Sequence, residues 1–310
     1  MSGIRNTDEL TRAVRAVMRR TPEPRLREIM DSLVSHLHGF VKDVQLTEDE
    51  FRAATALIAR MGQLTNERHN EVVLMAGSLG VSSLVCLLNN GQAQADGSVS
   101  TTQNLLGPFW RVGSPRTASG GSILRCPTAG EPLWVQARVV DADGRPVPGV
   151  EVDVWQCDAE GHYENQAVAR AKGMTDMNLR GSFSTDGDGR FSFWSVKPLG
   201  YPIPTDGVVG QLLAAQGRHP FRPAHVHVLA HKAGYKTLIS QVYAHDDPNL
   251  ATDAQFGATD RLTATFVRHS GPPPPEAPRE ASVQTGVWHS VDFSFVLLAG
   301  ESRLPKPPIL

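Results

Sequence analysis

The chain has 310 residues, 40% of them hydrophobic and 20% charged, with a formal net charge of −2. That length suits one large domain or two ordinary ones, and the near-neutral balance excludes the basic footprint of nucleic-acid or anionic-membrane binding. Cys86, Cys126 and Cys157 are isolated and odd in number, which excludes a thiolate-rich zinc or iron–sulfur site, argues against a disulfide framework and points to a reducing cytoplasm.

The first twenty residues are rich in charge (Arg5, Asp8, Glu9, Arg12, Arg15, Arg19, Arg20) and contain no apolar core, so no signal peptide is expected. The spacing of Leu10, Val14 and Val17 predicts a short helix. Leu26, Ile29, Met30, Leu33, Val34, Leu37, Phe40 and Val41 step by threes and fours, forming one apolar helical stripe. Thr47 and Glu50 form a capping box opening a third helix, with Phe51, Ala54, Leu57, Ile58 and Met61 on one side. Val72 to Leu88 carries no charge, but it is short of the roughly twenty residues a membrane span needs. It is read as one buried helix at a domain or subunit junction, not as a span.

Near residue 91 the texture changes to short strands with turns. Strands are predicted over Leu133–Val140, Val150–Trp155, Arg190–Trp194, Leu238–Tyr243 and Val291–Leu298, with Val150, Val152 and Val154 facing one way. The Gly271–Pro278 stretch, with five prolines, reads as an irregular surface connection. The fold class is therefore α+β: a helical N-terminal domain over residues 1–100, followed by an antiparallel β-sandwich over 101–310.

Four residues carry the chemistry. His225 and His227 form an H-x-H pair, and on a strand two residues so spaced project from one face. Tyr163 lies in Gly161-His162-Tyr163-Glu164-Asn165 and Tyr201 in Gly200-Tyr201-Pro202-Ile203-Pro204. A phenol binds metal as phenolate only when a strong Lewis acid displaces its proton. Two hard anionic oxygens and two imidazoles suit a small, highly charged ion, and Fe(III) is the natural candidate. Singly, a half-buried Tyr or His is usually structural. Rival metal sites lack their residues, because there is no H-E-x-x-H and no Asp or Glu from Val228 to Lys236 to complete a cupin-type triad. His231 is in phase but about 13 Å beyond His227 at about 3.3 Å per residue. His162, His219 and His245 are read as structural or surface residues. Arg222 is the candidate to stabilise charge on a bound ring, since a guanidinium stays cationic in an apolar pocket; the alternative is a structural ion pair.

Taken in order, Leu106-Gly107-Pro108-Phe109, Gly161-His162-Tyr163, Gly200-Tyr201-Pro202, Arg222-Pro223-Ala224-His225-Val226-His227 and Gln241 resemble the intradiol ring-cleavage dioxygenases. The resemblance spans nearly the whole chain and is densest from about residue 105 to 260. It implies one Fe(III) per chain on Tyr163, Tyr201, His225 and His227, with Tyr201 the ligand that leaves when substrate binds. It also implies a small aromatic diol and O2 as substrates. Leu74, Gly77, Gly107, Pro108, Phe109, Ile203, Pro204, Arg222 and Gln241 would line the substrate, with Gln241 bonding near the oxygens on the iron. The N-terminal helices would form a homodimer and could hold a lipid. Two other classes stay open: a β-sandwich binding module, which predicts surface aromatic platforms and no iron, and an interaction scaffold using the amphipathic helices.

Leu106-Gly107-Pro108-Phe109 and Leu79-Gly80-Val81-Ser82 look like the hydroxyquinol branch, whose substrate is 1,2,4-trihydroxybenzene and whose product is maleylacetate. That branch leads us to expect an Asp near position 77 to bond the extra ring hydroxyl, where this chain has Gly77. A missing partner costs about 1–3 kcal/mol, which predicts looser specificity. Gly77 would also leave room for a bulkier group, so catechol or a substituted catechol, giving cis,cis-muconates, is the alternative.

Overall fold

Capping chemistry sets where the helices begin in the computed structural model, which describes residues 3–66, 69–94, 100–274, 276–278, 281 and 286–306. Asn6 Oδ1 accepts from Glu9 N and opens α1 (Thr7–Met18). Pro24 stands at the start of α2 (Pro24–Asp43), and Thr47 and Glu50 form the expected reciprocal box at the head of α3 (Glu48–Leu64). Two compact units result, Met1–Arg60 and Met61–Leu310; the change from helices to strands comes later, near residue 100. In the first unit Asp31 is gripped by Arg15 (2.8 Å) and Arg19 (3.2 Å), pinning α1 to α2. The α2 stripe stays largely uncovered: Leu26, Ile29, Leu33, Leu37, Phe40 and Val41 are all exposed.

The second unit corrects the reading of Val72–Leu88 as one buried helix. It holds two helices, α4 (Glu71–Ser78) and α5 (Val81–Gln94), bent by 73° at Leu79–Gly80. Gly80 takes φ +73°, a left-handed conformation that glycine adopts without steric cost, and the first helix ends there. Val72, Val73, Leu84, Val85, Leu87 and Leu88 point outward. Among the described residues no single helix is long and apolar enough to cross a membrane; this bent pair passes only on length and composition.

The strands are β1 (Pro132–Asp141), β2 (Glu151–Trp155), β3 (Arg180–Ser184), β4 (Arg190–Val196), β5 (Tyr201–Pro202), β6 (Phe221–Arg222), β7 (His225–His231), β8 (Leu238–Ala244), β9 (Thr263–Ala264), β10 (Val267–Ser270) and β11 (Val287–Leu297). Short helices α6 (Ala167–Ala171) and α7 (Val208–Ala215) interrupt them. One sheet has the order β10-β11-β1-β4, the other β3-β2-β7-β8-β9, and β5 pairs with β6 apart from both. The sandwich is mixed, not purely antiparallel, because β1 runs parallel to β11 and β8 parallel to β9. Alternation registers pairing partners but not their direction, and direction here follows from connections that return across the sandwich. The described part of Gly271–Pro278 is irregular, and Pro275 lies outside the described residues, as do 95–99 of the polar stretch after residue 91.

Val135, Ala137, Val139, Val152, Val154, Phe191, Phe193, Val226, Val228 and Phe295 fill the space between the sheets. On β7 the alternation therefore sends Val226, Val228 and Ala230 inward and His225, His227 and Leu229 to the opposite face. That face is covered too, by a second small core of Trp110, Trp155, Cys157, Tyr163 and Tyr201.

Candidate metal centre

Strand register assembles the site. On the covered face His225 lies opposite Tyr243 and His227 opposite Gln241 across β7 and β8, while Trp155 of β2 flanks His227 on its other side. Trp155 stacks on His227 at 4.6 Å between ring centroids, with 9° between planes, so the imidazole is held edge-on. Tyr201 pairs directly with Arg222 across β5 and β6. Tyr163 arrives from the loop after β2, where Gly161 takes φ +84°. A side chain at Gly161 would sit 2.7 Å from Tyr201 Cβ, so this glycine lets the two tyrosine segments meet. Phe109 stacks on Tyr163 at 4.2 Å.

Four donor atoms converge. Tyr163 Oη lies 3.3 Å from Tyr201 Oη, Tyr201 Oη 3.5 Å from His225 Nε2, and His225 Nε2 3.1 Å from His227 Nε2. Relative exposure is 0% for Tyr163, 7% for Tyr201, 0% for His225 and 1% for His227. Ligands about 2.0–2.1 Å from one ion, at angles of about 90–115°, stand about 2.9–3.5 Å apart, which matches this spacing. His225 Nδ1 is 2.7 Å from the Pro223 carbonyl oxygen. A carbonyl only accepts, so Nδ1 carries the proton and the Nε2 lone pair faces the centre. The His225 Nε2 lone pair is thus aimed at the point where the four atoms meet, and a cation there would satisfy it.

The electrostatics agree. Burial, then the Arg222 charge, lowers His225 to about 3, and burial with the neighbouring His225 and Arg222 lowers His227 well below the ordinary histidine value. Both rings are neutral at pH 7, as a metal ligand requires. Burial raises Tyr163 well above 10 and raises Tyr201 less, because Arg222 opposes it there. The phenols thus hold their protons until an ion displaces them.

Arg222 is itself buried. Its Nε and Nη2 lie 3.2 and 3.3 Å from the two Asp253 oxygens, and Nη2 also donates to Gln241 Oε1 at 2.9 Å and Tyr243 Oη at 2.6 Å. Burial pulls Arg222 down, but Asp253 and the two tyrosines outweigh it and hold the guanidinium well above its usual range. The ion-pair reading and the functional reading of Arg222 therefore coexist. Gln241 sits behind His227 rather than beside an open position: its Nε2 is 3.1 Å from His227 Nδ1 and donates to Leu105 O at 2.8 Å, and its Oε1 takes Arg222 and Tyr243. Gly107 brings backbone against His227, with a would-be Cβ 3.3 Å from Cε1. Ile203 is buried, whereas Pro108 and Pro204 are exposed. Leu74 is half-buried on α4, one turn before Gly77.

The expectation that Gly77 leaves room is overturned. The side chain of Gln255 fills that place: a Cβ on Gly77 would stand 1.8 Å from Gln255 Oε1 and 2.8 Å from its Cδ. Tyr243, Asp253, Asn104, Trp155 and Gln255 escaped sequence reasoning. Only Tyr243 carried a signal, being two residues past Gln241 and so on the same strand face. A separate acidic group, Asp158, Glu160 and His162, lies in the turn before Tyr163. There Asp158 caps the amides of Glu160 and His162, and Lys172 pairs with Glu160, so local bonds account for it.

Comparisons with known proteins show the family. A family model described as "Dioxygenase" matches residues 115–283, and one described as "Catechol dioxygenase N terminus" matches residues 23–97. The chain is 40% identical over 283 residues to a hydroxyquinol 1,2-dioxygenase of Rhizobium sp. (strain MTP-10005), covering 91% of this chain and 92% of that protein. It is 35% identical to a catechol 1,2-dioxygenase of Candida albicans, covering 83% of each. The solved structure of hydroxyquinol 1,2-dioxygenase from Pseudomonas putida DLL-E4 superposes with a TM-score of 0.82 at 34% identity, covering 95% of this chain and 99% of that one.

Proposed function

The chain belongs to the intradiol ring-cleavage dioxygenases, and from that premise we propose that it cleaves hydroxyquinol between adjacent hydroxyls to give maleylacetate. The observation that carries the proposal is the convergence of Tyr163, Tyr201, His225 and His227 at 3.1–3.5 Å, with His225 Nδ1 tied back to Pro223. The family's metal is non-haem iron; in this chain those four residues would hold one Fe(III), whose Lewis acidity would make the diol acidic and couple it to O2. Once an ion has displaced its own proton, Tyr201 Oη would be free to take one from a substrate hydroxyl and return to the phenol. Its position opposite Arg222 bears on this, because the guanidinium charge favours the phenolate that must stand there before transfer. Arg222, fixed on one side by Asp253 and on the other by Gln241 and Tyr243, offers a fixed positive charge where the electron-rich ring meets oxygen. Trp155 and Gln241 keep the His227 ring from turning, and Phe109 does the same for Tyr163. Catechol is the second substrate reading, supported by the likeness to the Candida albicans enzyme; the filled space at Gly77 speaks against bulky catechols.

Metal analysis, a visible spectrum and oxygen uptake with product mass test the assignment. One iron per chain, a phenolate-to-iron absorption band lost in Tyr163→Phe, and a product heavier than hydroxyquinol by two oxygen atoms are expected. No iron and no ring-opened product would refute it. Catechol preferred tenfold or more, about 1.4 kcal/mol, would replace hydroxyquinol as substrate while leaving the chemistry intact. We further propose a cytoplasmic homodimer, supported by the unpaired cysteines and by the uncovered apolar side chains of α2, α4 and α5, which also suit an amphiphile. A monomer in sedimentation at micromolar concentration would refute the dimer, and absence of extractable lipid would refute the amphiphile.

A further inference from the structure

Gln255 belongs to a turn tied to the charged centre of the site. Asp253 Oδ1 accepts from Gln255 N at 3.1 Å, and Oδ2 accepts from Gly257 N at 2.9 Å and Ala258 N at 3.1 Å, while the same carboxylate holds Arg222. Gly257 comes so near that a Cβ there would be 2.9 Å from Arg222 Nη2. The turn thus stands beside Arg222, and from it the Gln255 side chain reaches across to α4.

The two ends of that amide are treated differently. Gln255 Nε2 donates to Ser78 Oγ at 2.8 Å and lies 3.5 Å from Ala254 O. Ser83 Oγ donates to the Gln255 carbonyl at 2.9 Å, fixing the backbone. Gln255 Oε1 receives no hydrogen bond from any described residue, yet it is not sealed away from open space as the buried unpartnered atoms are. Here the nitrogen end is anchored, while the oxygen end rests in the gap at Gly77 with no donor among the described residues. The residue is only 6% exposed, so few orientations are open to it.

We infer that Gln255 is a specificity-determining residue, whose Oε1 accepts a hydrogen bond from a ring hydroxyl beyond the cleaved diol and whose bulk in the Gly77 space excludes larger ring substituents. The inference rests on the ring-cleavage reading above. A side chain at position 77 would displace the Gln255 side-chain oxygen from this place. Ser78 is a positioning residue that fixes the amide by holding Nε2, which leaves Oε1 in the gap at Gly77.

The measurement is the ratio of kcat/KM for hydroxyquinol to kcat/KM for catechol, which cancels changes in overall activity or in the fraction of folded enzyme. Gln255→Leu removes the acceptor at nearly constant volume, and the ratio is expected to fall about tenfold, the worth of one hydrogen bond to a buried group. Gly77→Ser together with Gln255→Ala places a hydroxyl acceptor one bond from the position-77 Cβ, close to the lost Oε1, and should recover most of that ratio. Gln255→Ala alone should raise the ratio of 4-methylcatechol to catechol by opening the same space. Ratios within twofold of wild type in Gln255→Leu, with ring cleavage still observed, would overturn the role of Gln255 and leave the enzyme assignment standing. A wild-type protein that opens neither ring would overturn both.

Discussion

Neutralising Asp253 should destabilise the second unit more than an ordinary buried substitution. Arg222 and Asp253 are both 4% exposed and meet through two nitrogen–oxygen contacts. In Asp253→Asn the guanidinium keeps its charge and loses its counterion, and the new amide group faces the donating amides of Gly257 and Ala258. Removing one partner of a buried pair costs about 3–5 kcal/mol, because the other charge is left uncompensated. A unit of this size loses about 2–4 °C per kcal/mol, so Tm should fall by about 6–20 °C. Arg222→Met should cost a similar amount, leaving the Asp253 carboxylate stranded. The double variant removes both charges, and its loss should be smaller than the sum of the singles by about 3 kcal/mol or more. Thermal and urea unfolding of the four proteins close the cycle. Additivity within about 0.5 kcal/mol would show that the two groups do not act as a pair and would remove Asp253 as the anchor of Arg222. The same values explain why Arg222→Ala alone is a poor probe of charge stabilisation in turnover, since it also loosens the fold.

Burial holds both phenols protonated, so ion uptake must release their protons and should strengthen as pH rises from about 5 to about 8; chelator competition showing no pH dependence would contradict phenolate ligation. The Arg15 hydrogen bond leads the interactions that hold Asp31 at about 2, below its unfolded value of 3.8. The α1–α2 contact is therefore fully supported above about pH 4 and lost as pH falls through about 2, which helical circular dichroism of an acid titration should show as a late loss absent from Asp31→Asn. Thr47→Ala removes one half of the α3 capping box and should cost about 0.5–2 kcal/mol in stability with iron content unchanged; a larger effect on iron than on stability would contradict a purely local role.

Much of the site was legible because its residues sit in short local patterns. The H-x-H spacing places His225 and His227 on one strand face whatever the fold around them, and the capping box at Thr47 and the glycine-bearing turns act within a few residues of themselves. Period-two alternation likewise marks Val150, Val152 and Val154 as one buried face. Tertiary structure alone decided what lies opposite these elements. Strand direction depends on connections across the sandwich, so the parallel pairing of β1 with β11 carried no local mark. Asp253 is 31 residues from Arg222, and Gln255 is 177 residues from Ser78, yet each pair is in hydrogen-bond contact. The uncharged run from Val72 to Leu88 says apolar but not what covers it, and only the bend at Gly80 shows where its side chains face. Gly77 is the sharpest case. An absent side chain reads as space in a sequence, but packing is a property of all nearby chain segments, and here a distant glutamine fills the gap.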